Sequence, residues 1–144
     1  MLYLGSDHGA FLLKKELIET LKSWNIEYED CGTYDQNRVD YPDIAAKTCK
    51  KILDNPQSKG VLLCGTGLGM SIAANKIKGI RAALCSDEYS AKMSIEHNNA
   101  NILCLGGRVI GPELAKSILK TFLNSSFAGE RHQIRIDKIS NLES

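Results

Sequence analysis

The chain has 144 residues, with 18 Lys and Arg against 17 Asp and Glu and a formal net charge of +1. This length suits a single domain with a sizeable hydrophobic core. The balanced charge argues against general binding to nucleic acid or to acidic membrane surfaces, and no stretch reaches the roughly 18 apolar residues of a membrane span.

Short apolar runs alternate along the chain with segments of helical periodicity. Strands are predicted at residues 2–5, 26–31, 61–64, 80–85 and 102–105. Helices are predicted at residues 11–24, 42–53, 88–97 and 131–142, after the glycine turn at 65–69, and from Pro112 onward. Without repeats or linkers, this alternation predicts one domain over residues 1–144. The fold class is α/β, a doubly wound, Rossmann-like sandwich with a five-stranded parallel sheet and a C-terminal helix.

Helical periodicity also predicts which side chains face the core. In the first helix Leu13, Leu17 and Leu21 share the apolar face, whereas Lys14 is assigned to the polar remainder of the helix. In the helix after the glycine turn, Ile72 is expected to face the core.

The stretch from residue 60 to 76 combines an apolar strand, a glycine-rich turn and a helix. Cys64 ends the strand, and Gly65, Gly67 and Gly69 alternate after it. Such a turn directs backbone N–H groups and the positive end of a helix toward one point, which favours a negatively charged ligand atom. The same location favours the thiolate form of Cys64.

Three other functions of glycine-rich turns have sequence patterns that this turn lacks. It fits neither the Walker pattern, which ends in Gly-Lys-Ser/Thr, nor the dinucleotide fingerprint G-x-G-x-x-G. A cysteine phosphatase loop would need an arginine where Met70 stands. A structural cysteine followed by an ordinary turn is the remaining alternative, since free cysteines are commonly buried small hydrophobes.

The cysteine pattern bears on the cellular compartment. The chain has five cysteines, an odd number, and none of them forms C-x-x-C. This predicts a reduced, cytoplasmic protein without a disulfide framework or a zinc site. The first residues lack the basic region of a signal peptide, in agreement with that expectation.

Chemically useful side chains follow several of the predicted strands. Asp7 and His8 follow the first strand, Cys64 and Thr66 belong to the end of the third, and Arg108 follows the fifth. Because the carboxyl ends of parallel strands meet at one edge, where such sheets bind their ligands, Asp7, His8, Cys64 and Thr66 are predicted to share a rim. Arg108 is a further candidate for that site.

A second group of candidates is basic. Arg131 and Arg135 lie four residues apart and share a helix face, where two guanidinium groups could grip a phosphate; a solvated basic face is the alternative. His132 lies between them, and His97 stands at the end of another helix. Tyr41 could line a small polar pocket, or simply begin its helix.

Motifs spread over the chain resemble the ribose-5-phosphate isomerase B family, whose broader group includes the galactose-6-phosphate isomerase subunits. The similar motifs are Ser6-Asp7-His8-Gly9-Ala10, Asp40-Tyr41-Pro42, residues 64–76, Gly79-Ile80-Arg81-Ala82-Ala83, His97-Asn98-Asn99-Ala100-Asn101, Gly106-Gly107-Arg108 and residues 129–135. The resemblance extends from about residue 2 to residue 139. The family pattern implies that each galactose-6-phosphate subunit lacks some of these motifs, so the full set favours the ribose enzyme.

The resemblance implies a cofactor-independent, metal-free interconversion of D-ribose 5-phosphate and D-ribulose 5-phosphate through a cis-enediolate, in the non-oxidative pentose phosphate pathway. It implies that Cys64 is the base, that Thr66 holds or moves a proton between substrate oxygens, and that His97 opens the sugar ring. The substrate-binding residues implied by the family are Asp7, His8, Tyr41, Gly65, Gly67, Gly69, Ser71, Asn98, Arg108, Arg131, His132 and Arg135.

The resemblance also implies a homodimer, or a dimer of dimers, in which His97 and Asn98 of one chain enter the site that contains the partner's Cys64. Two other functions stay open at this point. An isomerase of a six-carbon sugar phosphate, such as allose 6-phosphate or galactose 6-phosphate, would use the same motifs. A non-catalytic phosphosugar-binding module would use the same sheet edge and would need no base.

Overall fold

The computed structural model describes residues 1–143 and shows a parallel sheet with helices on both faces. The strands are β1 (Leu2–Ser6), β2 (Tyr28–Asp30), β3 (Lys59–Cys64), β4 (Ala82–Leu84) and β5 (Ile102–Gly106). The helices are α1 (Phe11–Ser23), α2 (Tyr41–Asp54), α3 (Leu68–Asn75), α4 (Glu88–Glu96), α5 (Pro112–Asn124) and α6 (Arg131–Ser140). The predicted fold class is confirmed.

The strand order β2-β1-β3-β5-β4 determines where a ligand can bind. β2 lies on one side of β1, and the chain then crosses to the other side of β1 to form β3. The direction of winding therefore reverses between β1 and β3. In open parallel sheets the crevice at this reversal, outside the carboxyl ends of the strands, is the usual ligand site. Ser6 and Cys64, the last residues of β1 and β3, therefore border the expected crevice.

Two apolar layers hold the sheet between the helices. On one face, α1, α4 and α5 contribute side chains such as Leu17, Ile95 and Phe122 to a continuous buried cluster. On the other face, α2 and α3 bury Cys49 and Met70 against the sheet. Helices on both faces explain the uninterrupted apolar runs of β3 and β5, because a strand covered on both sides has no polar face.

The two edge strands are shorter than the sequence predicts. β2 comprises three residues of the predicted 26–31, and β4 comprises three of the predicted 80–85. Each of them pairs with one neighbour only, β2 with β1 and β4 with β5. An edge strand lacks the second row of hydrogen bonds that would extend it, so its regular pairing ends early.

Two predictions about helix faces are wrong. Lys14 is fully buried, at 0% exposure, although the sequence assigned it to the polar part of α1. Ile72 is 63% exposed, although it was expected in the core. Met70 and Ala74 form the buried face of α3, and a residue two positions from each points to the opposite side of a helix.

Within residues 1–143, every helix is too short or too polar to traverse a bilayer.

Candidate active site

Cys64 stands at the carboxyl end of β3 and is 5% exposed. Its Sγ accepts a hydrogen bond from the Gly67 amide, with an N–S distance of 3.2 Å. Gly67 has φ = +79°, and a β-carbon there would stand 2.6 Å from the Leu84 side chain and 3.0 Å from the Leu105 backbone. Only glycine meets both conditions, so the turn that brings an N–H group to the sulfur depends on this residue.

The start of α3 supplies amide groups beside the same turn. The Leu68 amide donates to Thr66 Oγ1 at 3.2 Å, and the Ser71 amide donates to the Gly67 carbonyl at 3.1 Å. The amides of Gly69 and Met70 lie in the first helical turn, where no carbonyl stands one turn earlier to receive them. They provide donors for an anionic atom, and Ser71 retains its hydroxyl for a ligand.

Asp7 and His8 follow β1 on the other side of the expected crevice. Asp7 Oδ1 accepts a hydrogen bond from the Gly9 amide at 2.9 Å and caps a short 3-10 helix over His8–Ala10. His8 Nδ1 accepts a hydrogen bond from the Val39 amide at 3.3 Å. Because Nδ1 is the acceptor, a neutral imidazole here carries its proton on Nε2. The polar loop 32–40 gave no sequence signal of such a contact.

Arg108 brings a positive charge to this edge. Its amide donates to the Gly65 carbonyl at 2.9 Å, which ties the end of β5 to the cysteine turn. The guanidinium lies against the backbone of Gly9 and Gly65, since β-carbons built there would stand 3.2 Å and 3.1 Å from its nitrogens. Arg108 is itself exposed and is therefore available to a phosphate or carboxylate.

Tyr41 forms a wall over the first turn of α3. A β-carbon on Gly69 would stand 2.6 Å from the Tyr41 ring and 2.9 Å from its hydroxyl, so the ring lies directly on this glycine. Tyr41 is 38% exposed, and its ring therefore covers the start of α3 from the solvent side. The name cysteine cluster is used for the glycine turn, the first turn of α3 and the side chains of Asp7, His8, Cys64, Thr66 and Arg108.

The remaining predicted residues form a second group, His97, Asn98, Arg131, His132 and Arg135, which we call the histidine cluster. The rings of His97 and His132 stack, with centroids 4.2 Å apart and planes inclined by 13°. His132 is buried, and burial, together with the charges of its neighbours, lowers the pKa of its imidazole. His97, Arg131 and Arg135 are exposed around it.

The two clusters lie at opposite ends of the sheet. Asp87 caps α4 at the carboxyl end of β4, and α4 then runs back toward the amino ends. The ten residues from Asp87 to His97 cover about 15 Å at 1.5 Å per residue. Beyond His97, Asn101 bonds to Arg81 and Gly60 at the starts of β4 and β3. One chain therefore does not bring His97 to its own Cys64.

The other four cysteines are core residues. All five thiols are free and buried. Burial raises the pKa of Cys49 to about 12 and of Cys85 to about 11, and it also raises those of Cys31 and Cys104. These four remain protonated near neutral pH. No three His, Cys, Asp or Glu side chains among residues 1–143 are grouped so that they could hold a metal ion.

Known proteins resemble this chain over nearly its whole length. The family model described as Ribose/Galactose Isomerase matches residues 2–139. Ribose-5-phosphate isomerase B of Escherichia coli is 44% identical over 96% of this chain and 93% of its own length. The D-erythrulose-4-phosphate isomerase of Pectobacterium atrosepticum is 42% identical over 97% of this chain and 93% of its own.

A solved structure gives the same result. The ribose 5-phosphate isomerase of Thermotoga maritima superposes with a TM-score of 0.95 at 54% identity, covering 97% of both chains. The resemblance inferred from the motifs, and with it the prediction of an isomerase, is confirmed. The chain belongs to the Ribose/Galactose Isomerase family.

Proposed function

We propose that this protein interconverts D-ribose 5-phosphate and D-ribulose 5-phosphate, a step of the non-oxidative pentose phosphate pathway, with Cys64 as the base. The observation that carries the proposal is the position of the Cys64 sulfur. It stands at the sheet edge, accepts an N–H group from Gly67 at 3.2 Å, and adjoins the start of α3. Amide donors and a helix N-terminus stabilise a thiolate, which a pure binding module does not need.

The reaction follows from these groups. The Cys64 thiolate takes the proton from C2 of the open-chain aldose, the C–H electron pair forms the C1=C2 double bond, and the carbonyl oxygen becomes the enediolate oxygen. The amides of Gly69 and Met70 stabilise this negative charge as an oxyanion hole. Thr66 moves the hydroxyl proton between O2 and O1. The Cys64 thiol then returns its proton to C1, leaving the ketone at C2.

The remaining groups of the cysteine cluster bind the substrate. Asp7 and His8 bind its hydroxyls, and Tyr41 lines the pocket. Gly65, Gly67, Gly69 and Ser71 surround the reacting carbons with backbone and hydroxyl groups. Arg108 contributes a guanidinium to the phosphate, which such a planar fork can grip through two hydrogen bonds.

Ring opening and part of the phosphate binding come from a second copy of the chain. His97 serves as the ring-opening acid and base, Asn98 binds the sugar, and Arg131, His132 and Arg135 bind the phosphate. Two observations support a homodimer: the clusters lie at opposite ends of one subunit, and His97, Arg131 and Arg135 are exposed. We also infer a cytoplasmic location, because five unpaired thiols suit a reducing compartment.

The test is a coupled assay of purified protein with ribose 5-phosphate, with and without a chelator. Turnover should be the same in both. Erythrulose 4-phosphate and allose 6-phosphate are assayed in parallel, since a relative is named for the four-carbon sugar. A higher kcat/KM for either of them would replace the five-carbon assignment, and binding of all three without turnover would identify a binding module.

The base is tested by Cys64→Ala. Turnover should fall by about 10²–10⁴-fold, the usual contribution of a positioned base, while sugar-phosphate binding persists. Cys49→Ala is the matched control, because that thiol is buried in the core and remains protonated. If Cys64→Ala keeps more than about a tenth of the wild-type turnover, Cys64 is not the base.

A further inference from the structure

Lys14 is the largest fully buried side chain in the described structure. It extends from α1 to the carboxyl end of β2, where its ammonium donates to Asp30 Oδ1 at 2.6 Å and to the Thr33 carbonyl. The ammonium also lies 5.5 Å from the centroid of the Tyr34 ring, within cation–π range. A buried cation is costly unless its hydrogen bonds are satisfied, so this contact set is demanding in geometry.

These contacts fix the beginning of the loop that connects β2 to α2. Asp30 Oδ1 receives the Gly32 amide at 2.9 Å in addition to the lysine. The Thr33 amide donates to the Ser6 carbonyl at 2.7 Å, and the Thr33 carbonyl accepts from the Lys14 ammonium. Thr33 is therefore hydrogen-bonded through both of its backbone groups. The first residues of the loop are thereby fastened to both β1 and α1.

The far part of the same loop reaches His8. The Val39 amide donates to His8 Nδ1 at 3.3 Å. This bond selects the tautomer that carries its proton on Nε2 and can donate it to a substrate oxygen. Val39 lies six residues beyond Thr33 and two before α2. Two side-chain hydrogen bonds hold the segment between them, from the Tyr34 hydroxyl to the Asp30 carbonyl and from the Asn37 amide to Asp35. The position of Val39 therefore depends on the anchored start of the loop as well as on α2.

We propose that Lys14 is a positioning residue of the isomerase site, holding the loop 33–40 so that the Val39 amide orients the His8 imidazole. The proposal rests on the proposed function in its assignment of His8 to substrate binding. Lys14 touches no reacting atom. Its effect passes through Thr33 and the loop to His8.

The informative variant is Lys14→Met, which retains an unbranched side chain of similar length and removes the charge. Asp30 has a side-chain exposure of 28%, so water can solvate the carboxylate left behind, and the fold is expected to persist. Loss of a group that orients a functional histidine typically lowers activity about 10- to 100-fold, and we expect this effect on kcat/KM. Lys15→Met is the matched control, because Lys15 is an exposed neighbour on the same helix.

A double-mutant cycle distinguishes positioning from general damage. If Lys14 acts through His8, Lys14→Met in a His8→Asn background should change kcat/KM by less than about twofold. The same 10- to 100-fold loss in both backgrounds would show that Lys14 does not act through His8, and would overturn the proposal.

Hydrogen exchange tests the anchoring without any sugar. In Lys14→Met the Val39 amide should exchange at least about tenfold faster, while the Leu103 amide in β5 keeps its protection. Unchanged protection of Val39 would overturn the proposal. If Lys14→Met does not fold, Asp30→Asn, which keeps an oxygen for the Gly32 amide, must weaken Val39 protection in its place. Faster Val39 exchange in Lys14→Met would support the anchoring by itself. If the wild-type protein does not turn over ribose 5-phosphate, the proposed function is refuted while the anchoring stands.

Discussion

A mixed dimer offers the sharpest test of the proposed shared site. Cys64 and His97 lie at opposite ends of one chain, because α4 runs about 15 Å from Asp87, at the carboxyl end of β4, back to His97. In a two-fold symmetric dimer, each site then takes its cysteine from one chain and its histidine from the other. Homodimers of Cys64→Ala and of His97→Ala should both be inactive, because every site lacks one of the two groups.

A heterodimer of these two variants has a different composition. One of its sites carries both substitutions, and the other contains an intact Cys64 and an intact His97. The purified heterodimer should therefore have about half of the wild-type activity per dimer. Random pairing from equal amounts makes about half of all dimers heterodimers, so the unfractionated mixture should recover about a quarter.

The assay uses co-expression with two different affinity tags, tandem purification of the heterodimer, and turnover of ribose 5-phosphate. Each tagged variant alone serves as the baseline, and a heterodimer of two differently tagged wild-type chains sets the full value. A purified heterodimer with no more activity than the baseline would refute the shared site, since each site would then contain one defect. The assignment of the isomerase reaction would stand.

Three further predictions concern single positions. Arg135→Ala should raise KM about 10- to 100-fold with little change in kcat, because phosphate binding is shared by ground and transition states; the same change at exposed Lys138 on α6 is the control, and an unchanged KM removes Arg135 from the site. Gly67→Ala should lower the free energy of unfolding in urea by about 2–4 kcal/mol, from the left-handed φ and the contacts of a new β-carbon. Gly111→Ala, where φ is −84° and nothing lies within 4 Å, should cost far less, and equal costs would refute the argument. Burial lowers the pKa of His132 below its ordinary value of 6.5, so the unfolded chain binds the proton more readily and stability falls as pH drops through 6.5. His132→Asn should lose less stability than wild type between about pH 7.5 and 5.5, and an identical loss would show that His132 does not contribute.

The glycine turn was the most informative stretch of sequence. An apolar run ending in Cys64, followed by alternating glycines and a helical segment, predicts a thiol beside a helix N-terminus, and the structure has that arrangement. The rule for parallel sheets likewise placed Asp7, His8 and Arg108 at the same edge. Such predictions succeed because they depend on local chain direction, which a short segment determines by itself.

The burial of Lys14 is a feature that the helical pattern does not predict. Lys14 lies three and seven residues before Leu17 and Leu21, so it belongs to the edge of the apolar stripe of α1, and this spacing was a usable signal. Its charge nevertheless suggested solvent. Burial of a lysine depends on a partner carboxylate, and Asp30 is sixteen residues away in sequence.

By itself, the sequence determined the alternation of strands and helices, the α/β class, the thiol at the end of β3 and the family motifs, because each is a property of neighbouring residues. Tertiary structure alone decided the strand order β2-β1-β3-β5-β4, the ion pair of Lys14, the contact of Val39 with His8, and the separation of His97 from Cys64. These features depend on which elements pack together across long stretches of chain. A helix that runs antiparallel to its strand carries its last residue to the opposite end of the sheet, so the motif of Cys64 and the motif of His97 lie at two ends of the same chain.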